Sequence, residues 1–169
     1  MKTRLSFPLS ILCSALLSTG LTACSSQGSS TPQAAGSALT TEQLARQIAQ
    51  QRIIVDTHID VPYRLHKDWE DVSQATDRGE FDYPRARAGG LNAPFMSIYI
   101  PASYERTGGG YQLANQLIDG MEALVGRAPA RFAMAYNTDD VLQQFGSEKI
   151  SLALGMENGT PIGGDLANL

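Results

Sequence analysis

Two residues with the chemistry of metal ligands, His58 and Asp60, lie two positions apart at the end of the apolar run IIVDTHIDVP, residues 53–62. Neutral imidazole and carboxylate oxygens both bind zinc well. Alternate residues of a strand point to the same face, so a spacing of two lets both side chains reach one ion. A His-x-Asp triplet is nevertheless common by chance. The competing interpretation is a strand with one solvated face.

A third candidate ligand, Glu157, ends the run KISLALGME, residues 149–157. Strand alternation places Ser151, Ala153 and Gly155 on the same face as Glu157. Small residues that face a barrel interior leave room near its axis, and a carboxylate at the rim can bridge two metal ions with its two oxygens. The simpler alternative is that Glu157 is only the first solvated residue after a buried strand.

Strands must position these residues, and the sequence predicts three of them. They are RIIVDTHID, Phe95–Ile100 between two prolines, and KISLALGME. Strict alternation on the first strand predicts two faces, one with Ile53, Val55, Thr57 and Ile59 and the other with Ile54, Asp56, His58 and Asp60. Helical patterns separate the second and third strands, which favours parallel βαβ units in an open sheet or a barrel. Such folds place active sites at the carboxyl ends of their strands.

The helices are predicted from caps and from apolar spacing. Thr40 and Gln43 form the pattern of a capping box, and Thr138 is predicted to cap a helix that stops at Gly146. A longer helix is indicated by apolar residues at helical spacing, namely Leu113, Leu117, Ile118, Met121, Leu124 and Val125. Between Pro62 and Gly90 we expect a long loop with at most a short helix. Loops of that length in compact folds are often functional.

The first 23 residues have the layout of a lipoprotein signal peptide. Lys2 and Arg4 precede an apolar segment of about half the roughly 20 residues that a membrane span needs, and LTAC follows. We expect lipidation of Cys24, whose acyl chains would anchor the protein to a membrane. An ordinary signal peptide cleaved nearby is the alternative. Residues 24–38, polar and uncharged, are predicted to be a flexible tether, and residues 39–169 the folded domain.

Charge and cysteine content exclude several classes of function. The chain has 17 acidic and 13 basic residues, and removal of the leader would take away two of the basic ones. A nucleic-acid surface needs an excess of Lys and Arg, so no nucleic-acid partner is expected. Only two cysteines are present, one within the leader and the other at the lipidation position. The sequence therefore predicts no disulfide framework.

Three blocks of this sequence resemble the membrane (renal) dipeptidase family of zinc peptidases: VDTHIDVP, FDYPRARAGGLNAPFMSIYIP, and RFAMAYNTDDVLQQFGSEKISLALGMENGTPIGGDLANL. The resemblance covers about residues 50–169. It implies a (β/α)₈ TIM-type barrel of which this chain holds the first three or so β/α units. It also implies two zinc ions, with His58 and Asp60 on the first and Glu157 bridging both.

The resemblance further implies hydrolysis of dipeptides by a hydroxide held between the two zinc ions. Asp56 could orient a ligand, although a buried structural hydrogen bond is the preferred interpretation. Family members usually continue from the glutamate with Gly-Gly-His, where this chain has Asn158, Gly159 and Thr160. That difference affects the neighbouring loop and leaves Glu157 in place.

The number of histidines limits what this chain can do alone. The family completes its second zinc site with two later histidines, whereas this chain has only His58 and His66, and His66 is expected at the surface. A complete barrel typically needs about 250 residues. We therefore expect this chain to be the truncated N-terminal portion of a longer protein and to be inactive by itself.

Two other classes remain open. The chain could be a non-catalytic or truncated envelope lipoprotein that retains part of the scaffold, or another metal-dependent amidohydrolase. The expected location is the bacterial cell envelope, lipid-anchored at the periplasmic face of the outer membrane, since Ser25 follows the lipidated cysteine.

Overall fold

Helices alternate with parallel strands in the computed structural model, which describes residues 38–168. The elements in chain order are α1 (Thr41–Gln51), β1 (Ile54–Ile59), α2 (Val61–Lys67), α3 (Tyr83–Gly89), β2 (Leu91–Ile98), α4 (Ser103–Thr107), α5 (Gly110–Arg127), β3 (Phe132–Met134), α6 (Thr138–Gln144), β4 (Ile150–Met156) and the 3₁₀ turns Thr160–Ile162 and Leu166–Asn168. The signal peptide, Cys24 and residues 24–37 of the tether lie outside the described residues.

The four strands form one sheet in the order β1-β2-β4-β3, and every neighbouring pair is parallel. A purely sequential sheet would place β3 between β2 and β4, but β3 lies at the edge, where it pairs with the first half of β4. β2 pairs with the second half of β4, from Phe95↔Ala153 to Ile98↔Met156. The predicted α/β class with a parallel sheet is confirmed.

The core lies between the sheet and its helices. Side chains from α2, α3, α5 and all of the strands except β1 form a buried cluster that includes Leu65, Met96, Met121, Phe132 and Leu152. Burial of such side chains removes apolar area from water at about 25 cal/mol per Å², which is the main force that holds the helices on the sheet. The predicted apolar face of α5 is part of this layer, since Leu113, Leu117, Met121 and Leu124 are buried.

Two strand predictions need correction. The second strand was predicted to begin at Phe95, but β2 already begins at Leu91 and contains Pro94. Pro94 is accommodated because pairing with β4 starts only at Phe95, so the first half of β2 pairs with β1 alone. β3 was not predicted at all, because three residues are too few to show a period.

The stretch predicted as a long loop contains two helices. α2 follows β1 at once, with Pro62 in its first turn, and α3 begins after Asp82 with Pro84 in its first turn. Proline suits these positions because the first backbone N–H groups of a helix have no partner within the helix. The loop proper is therefore limited to residues 68–82.

The capping predictions were right for one helix and wrong for another. Thr40 and Gln43 form the predicted capping box of α1. The cap of α6 is Asn137, whose side chain accepts a hydrogen bond from the Asp140 N–H, and not Thr138, which is the first helical residue. Within residues 38–168, none of the helices is long and apolar enough to cross a membrane.

Candidate metal centre

The carboxyl ends of β1 and β4 bring His58, Asp60 and Glu157 together. His58 Nε2 lies 3.2 Å from Asp60 Oδ1 and 3.5 Å from Glu157 Oε2. One ligand atom from each residue lies within 4.8 Å of the other two, and all three side chains are exposed. All three ligand residues predicted from the sequence thus lie at the same end of the sheet.

An irregular register in β1 decides which way His58 faces. Val55 lies opposite Ala93 and Ile59 lies opposite Met96, so five residues of β1 lie along four of β2. One extra residue is a β-bulge, and it reverses the alternation of the side chains. Ile59 consequently packs into the helix-side core, and His58 reaches Glu157 on the other side of the sheet.

The predicted faces of β1 are therefore wrong in part. Val55 was assigned to the face opposite His58, yet it lines the same side of the sheet as Phe95 and Ala153. Asp56 and His58 were predicted to share a face, but the bulge lies between them. Strict alternation holds only for a regular strand, and a sequence alone gives no sign of an extra residue.

Asp56 has a local role in this bulge. Its Oδ1 accepts a hydrogen bond of 2.9 Å from the backbone N–H of His58. The structure differs from the buried hydrogen bond preferred from the sequence, because Asp56 is exposed and its partner is the backbone N–H of His58. Asp56 therefore supports the irregular backbone that carries the imidazole.

Asp60 lies at the junction of β1 and α2. It is the N-cap residue of α2, but its side chain makes no capping hydrogen bond. An aspartate at this position normally accepts from the first turn of the helix. Here the carboxylate lies beside His58 instead, at the distance given above, so it is available to a ligand that binds between the two side chains.

Glu157 follows β4 and is held by a residue that sequence reasoning did not select. Ser97 on β2 is buried, and its hydroxyl donates a hydrogen bond of 2.8 Å to Glu157 Oε2. The signal was present in the sequence, because Ser97 is a polar residue near the carboxyl end of the largely apolar strand β2. Its importance depends on the β2–β4 register, which the sequence does not show.

The residues after Glu157 form an ordered turn. Asn158 donates from Nδ2 to the Ile100 carbonyl at 3.0 Å, and its Oδ1 accepts from the Thr160 N–H at 3.1 Å. The sequence that replaces Gly-Gly-His in this chain thus ties the loop after β4 to the end of β2. His66 is exposed on α2, as predicted, and it is not part of the ligand group.

The donor set suits zinc. One imidazole and two carboxylates are typical zinc ligands with bond lengths of about 2.0–2.2 Å, which in a tetrahedral arrangement separates two donor atoms by about 3.4 Å. The separations of 3.2 and 3.5 Å around His58 Nε2 agree with that spacing. Two carboxylates beside one imidazole also give the cluster a negative charge at neutral pH, which attracts a divalent cation.

A sizeable cavity near this cluster does not contain it. It has a volume of about 560 Å³ and lies on the same side of the sheet, lined by apolar residues that include Val55, Ala93, Phe95 and Ala153. Its lining contains no histidine, cysteine, aspartate or glutamate. Within residues 38–168, the candidate chemistry is therefore at the rim of the sheet, where three strands end.

Comparison with known proteins identifies the family. A family model described as membrane dipeptidase (peptidase family M19) matches residues 42–169, which confirms the family resemblance. A search of curated proteins gave no match.

Solved structures with similar folds include three metallopeptidases or dipeptidases. Dipeptidase AC, a metallopeptidase of family M19, is 21% identical with a TM-score of 0.59 over 68% of this chain and 37% of its own. A metallopeptidase from Rhodobacter sphaeroides, liganded with a phosphinate mimic of the dipeptide L-Ala-D-Ala, is 20% identical with a TM-score of 0.59 over 68% of this chain and 40% of its own. The probable dipeptidase PvdM from Pseudomonas aeruginosa is 19% identical with a TM-score of 0.62 over 74% and 33%.

These likenesses confirm the predicted barrel-type α/β fold. The chain spans between 33% and 40% of the length of these three structures.

Proposed function

Because this chain belongs to the membrane dipeptidase family, peptidase family M19, we propose that it forms part of a zinc-dependent dipeptidase. In this proposal His58, Asp60 and Glu157 hold the first zinc ion, and Glu157 also reaches the second. The observation that carries it is the meeting of three ligand atoms within 4.8 Å at the carboxyl ends of β1 and β4. Active sites of barrel folds lie at that end of the sheet.

Zinc ions bound there would lower the pKa of a water molecule and polarise the carbonyl group of a peptide bond. The chain's own residues supply the binding and the orientation. His58 binds through Nε2, so its neutral form is the one required. Glu157 has two carboxylate oxygens, one of which is held by Ser97, and Asp60 adds a second negative charge beside the imidazole.

We propose that further ligands for the second zinc ion come from residues outside these 169. The chain has two histidines, and His66 lies on the exposed side of α2, apart from the cluster. The three ligands present can hold one ion, but a pair of ions needs more donors than they offer. By itself the chain is expected to bind zinc weakly and to hydrolyse no dipeptide.

The proposed substrates are dipeptides. Support comes from the family and from the Rhodobacter sphaeroides structure, whose ligand is a phosphinate mimic of L-Ala-D-Ala. A phosphinate is tetrahedral, like the intermediate of peptide hydrolysis, and such mimics bind enzymes that stabilise that intermediate. A simple test substrate is Gly-D-Ala.

Zinc titration of the chain and two histidine variants tests the proposal. H58A removes a ligand and should weaken zinc binding by at least about tenfold, since even the loss of an outer partner of a ligand costs about 10–100-fold. H66A removes the other imidazole of the chain and should leave zinc affinity unchanged. Equal affinities of H58A and the parent chain would contradict the assignment of the site.

Activity is measured on the same samples. The expected result for the chain alone is no hydrolysis of Gly-D-Ala. A chain that binds two zinc ions and hydrolyses this dipeptide would overturn the proposal that other residues complete the centre. If instead no zinc binds, a non-catalytic lipoprotein that retains the scaffold becomes the better interpretation.

We also propose that Cys24 carries the lipid anchor and that the protein belongs to the cell envelope, at the periplasmic face of the outer membrane. The support is the sequence of the leader, with its basic start, short apolar segment and LTAC ending. Replacement of the thiol in C24S should abolish incorporation of radiolabelled palmitate and release the protein from the membrane fraction. Palmitate incorporation that persists in C24S would refute the anchor.

A further inference from the structure

Ser97 is the buried polar residue with the most direct link to the candidate metal centre. Its side chain lies on β2 with 2% of the residue exposed, and its hydroxyl donates to Glu157 Oε2 at 2.8 Å. The bond joins residues 60 positions apart in the chain. It therefore exists only when β2 and β4 are correctly paired.

The register of the sheet explains how the bond forms. Ser97 lies opposite Gly155, and Glu157 comes two residues later on the same face, directly after β4. The glutamate side chain is long enough to span this offset, as the 2.8 Å hydrogen bond shows. The glutamate thus extends back over the sheet toward the serine, and the bond fixes one of its two oxygens.

The same oxygen faces His58, whose Nε2 is 3.5 Å away. The other oxygen, Oε1, accepts no hydrogen bond from any residue in the described range 38–168. A hydroxyl has a single proton to donate, so Ser97 occupies one lone pair of the carboxylate and leaves the remaining ones for cations. This division suits a carboxylate that must reach more than one ion.

We propose that Ser97 is a positioning residue for the metal centre: its hydroxyl orients the Glu157 carboxylate for metal binding. This inference rests on the proposed function. Hydrogen-bond partners of metal ligands commonly fix ligand orientation and raise metal affinity. A competing explanation is that Glu157 only satisfies a buried hydroxyl, which would otherwise lack a partner.

Zinc affinity of the full chain, measured by competition with a chromophoric chelator, separates the two explanations. S97A should lower zinc affinity by about 10–100-fold, whereas S97T, which keeps the hydroxyl, should restore most of it. S151A is the matched control, because Ser151 is also 2% exposed and lies on β4 of the same sheet without a bond to Glu157. Its zinc affinity should equal that of the parent chain.

The absorption spectrum of the chain loaded with Co²⁺ gives a second readout. Loss of the hydroxyl should shift the cobalt bands in S97A and not in S151A, because only the former changes how a ligand is held. Circular dichroism establishes that each variant is folded. If S97A does not fold, S97C decides the question, since a thiol is a weak donor and should give a smaller loss of affinity in the same direction.

The outcomes distinguish this inference from the proposed function. If the parent chain binds zinc and the serine variants bind it equally well, the positioning role is wrong and the metal centre stands. If the parent chain binds no zinc, the metal centre is wrong and the role of Ser97 falls with it. A loss of affinity in S151A as large as in S97A would also refute the role, since it would show a general effect of strand substitution.

Discussion

Replacement of Asp82 by alanine should destabilise the chain by about 2–4 kcal/mol. Asp82 is 1% exposed and caps α3. Its carboxylate accepts hydrogen bonds from the backbone N–H of Thr76 at 3.0 Å and of Arg85 at 2.9 Å, and from Arg85 Nε at 2.7 Å. The carboxylate thus ties the loop of residues 68–82 to the start of α3.

The magnitude follows from these contacts. Loss of a helix N-cap costs about 0.5–2 kcal/mol. The part-buried Thr76 N–H also loses its partner, and such a loss costs about 1–3 kcal/mol when the donor is fully buried. The guanidinium of Arg85 is half exposed, so its ion pair with Asp82 adds little. D82N is the matched variant, because asparagine also caps helices well but lacks the charge, and it should lose less than D82A.

Acid should remove part of this stabilisation. Burial alone would raise the pKa of Asp82, but the hydrogen bonds from the backbone N–H groups of Arg85 and Thr76, together with the Arg85 guanidinium, hold it below the ordinary value of 3.8. A carboxyl group with a lowered pKa in the folded state stabilises the fold above its unfolded-state pKa, and that stabilisation is lost as pH falls through the folded-state pKa. The difference in stability between the parent chain and D82N should therefore shrink below about pH 4.

Urea unfolding at pH 7 and at pH 3, followed by circular dichroism, measures both effects. A loss below about 1 kcal/mol for D82A, where a lost cap and an unpaired backbone donor are both expected, would refute the assigned contacts. A difference between D82N and the parent chain that grows on acidification would refute the sign of the pKa shift.

Two further changes test the packing of α1. G90A should destabilise the chain by more than about 1 kcal/mol, because Gly90 has φ +87° and a Cβ there would lie 2.5 Å from the Ala49 carbonyl oxygen. In the control G89A the added Cβ meets no atom within 4 Å, so stability should be unchanged. Equal losses of stability for G90A and G89A in urea unfolding would contradict the contact with Ala49. T40A removes the capping box of α1 and should lower the free energy of unfolding by about 1 kcal/mol. If the amides of α1 keep their full protection against hydrogen exchange in T40A, the cap is dispensable.

The parts of the site that could be predicted from the sequence depend on short-range rules. His58, Asp60 and Glu157 were selected because polar residues at the carboxyl ends of β-branched runs are recognisable, and parallel strands bring such ends together. The capping box at Thr40 was likewise visible, since its two residues are only three apart.

The missed features depend on contacts between distant residues. Ser97 gains its partner through the β2–β4 register, and the face of His58 depends on a bulge opposite β2. α3 was missed although Asp82 and Pro84 form a recognisable helix start, because seven residues give too short a period to stand out. Long-range pairing decides these points, and no local pattern encodes it.

The bulge in β1 lets Val55 and His58, which are three positions apart, face the same side of the sheet. Deletion of Thr57 would remove the extra residue and restore regular alternation. His58 would still directly precede Ile59 and would therefore face away from the layer that Ile59 and Met96 fill. The three ligands would then remain on one face of a sheet whose first strand is one residue shorter.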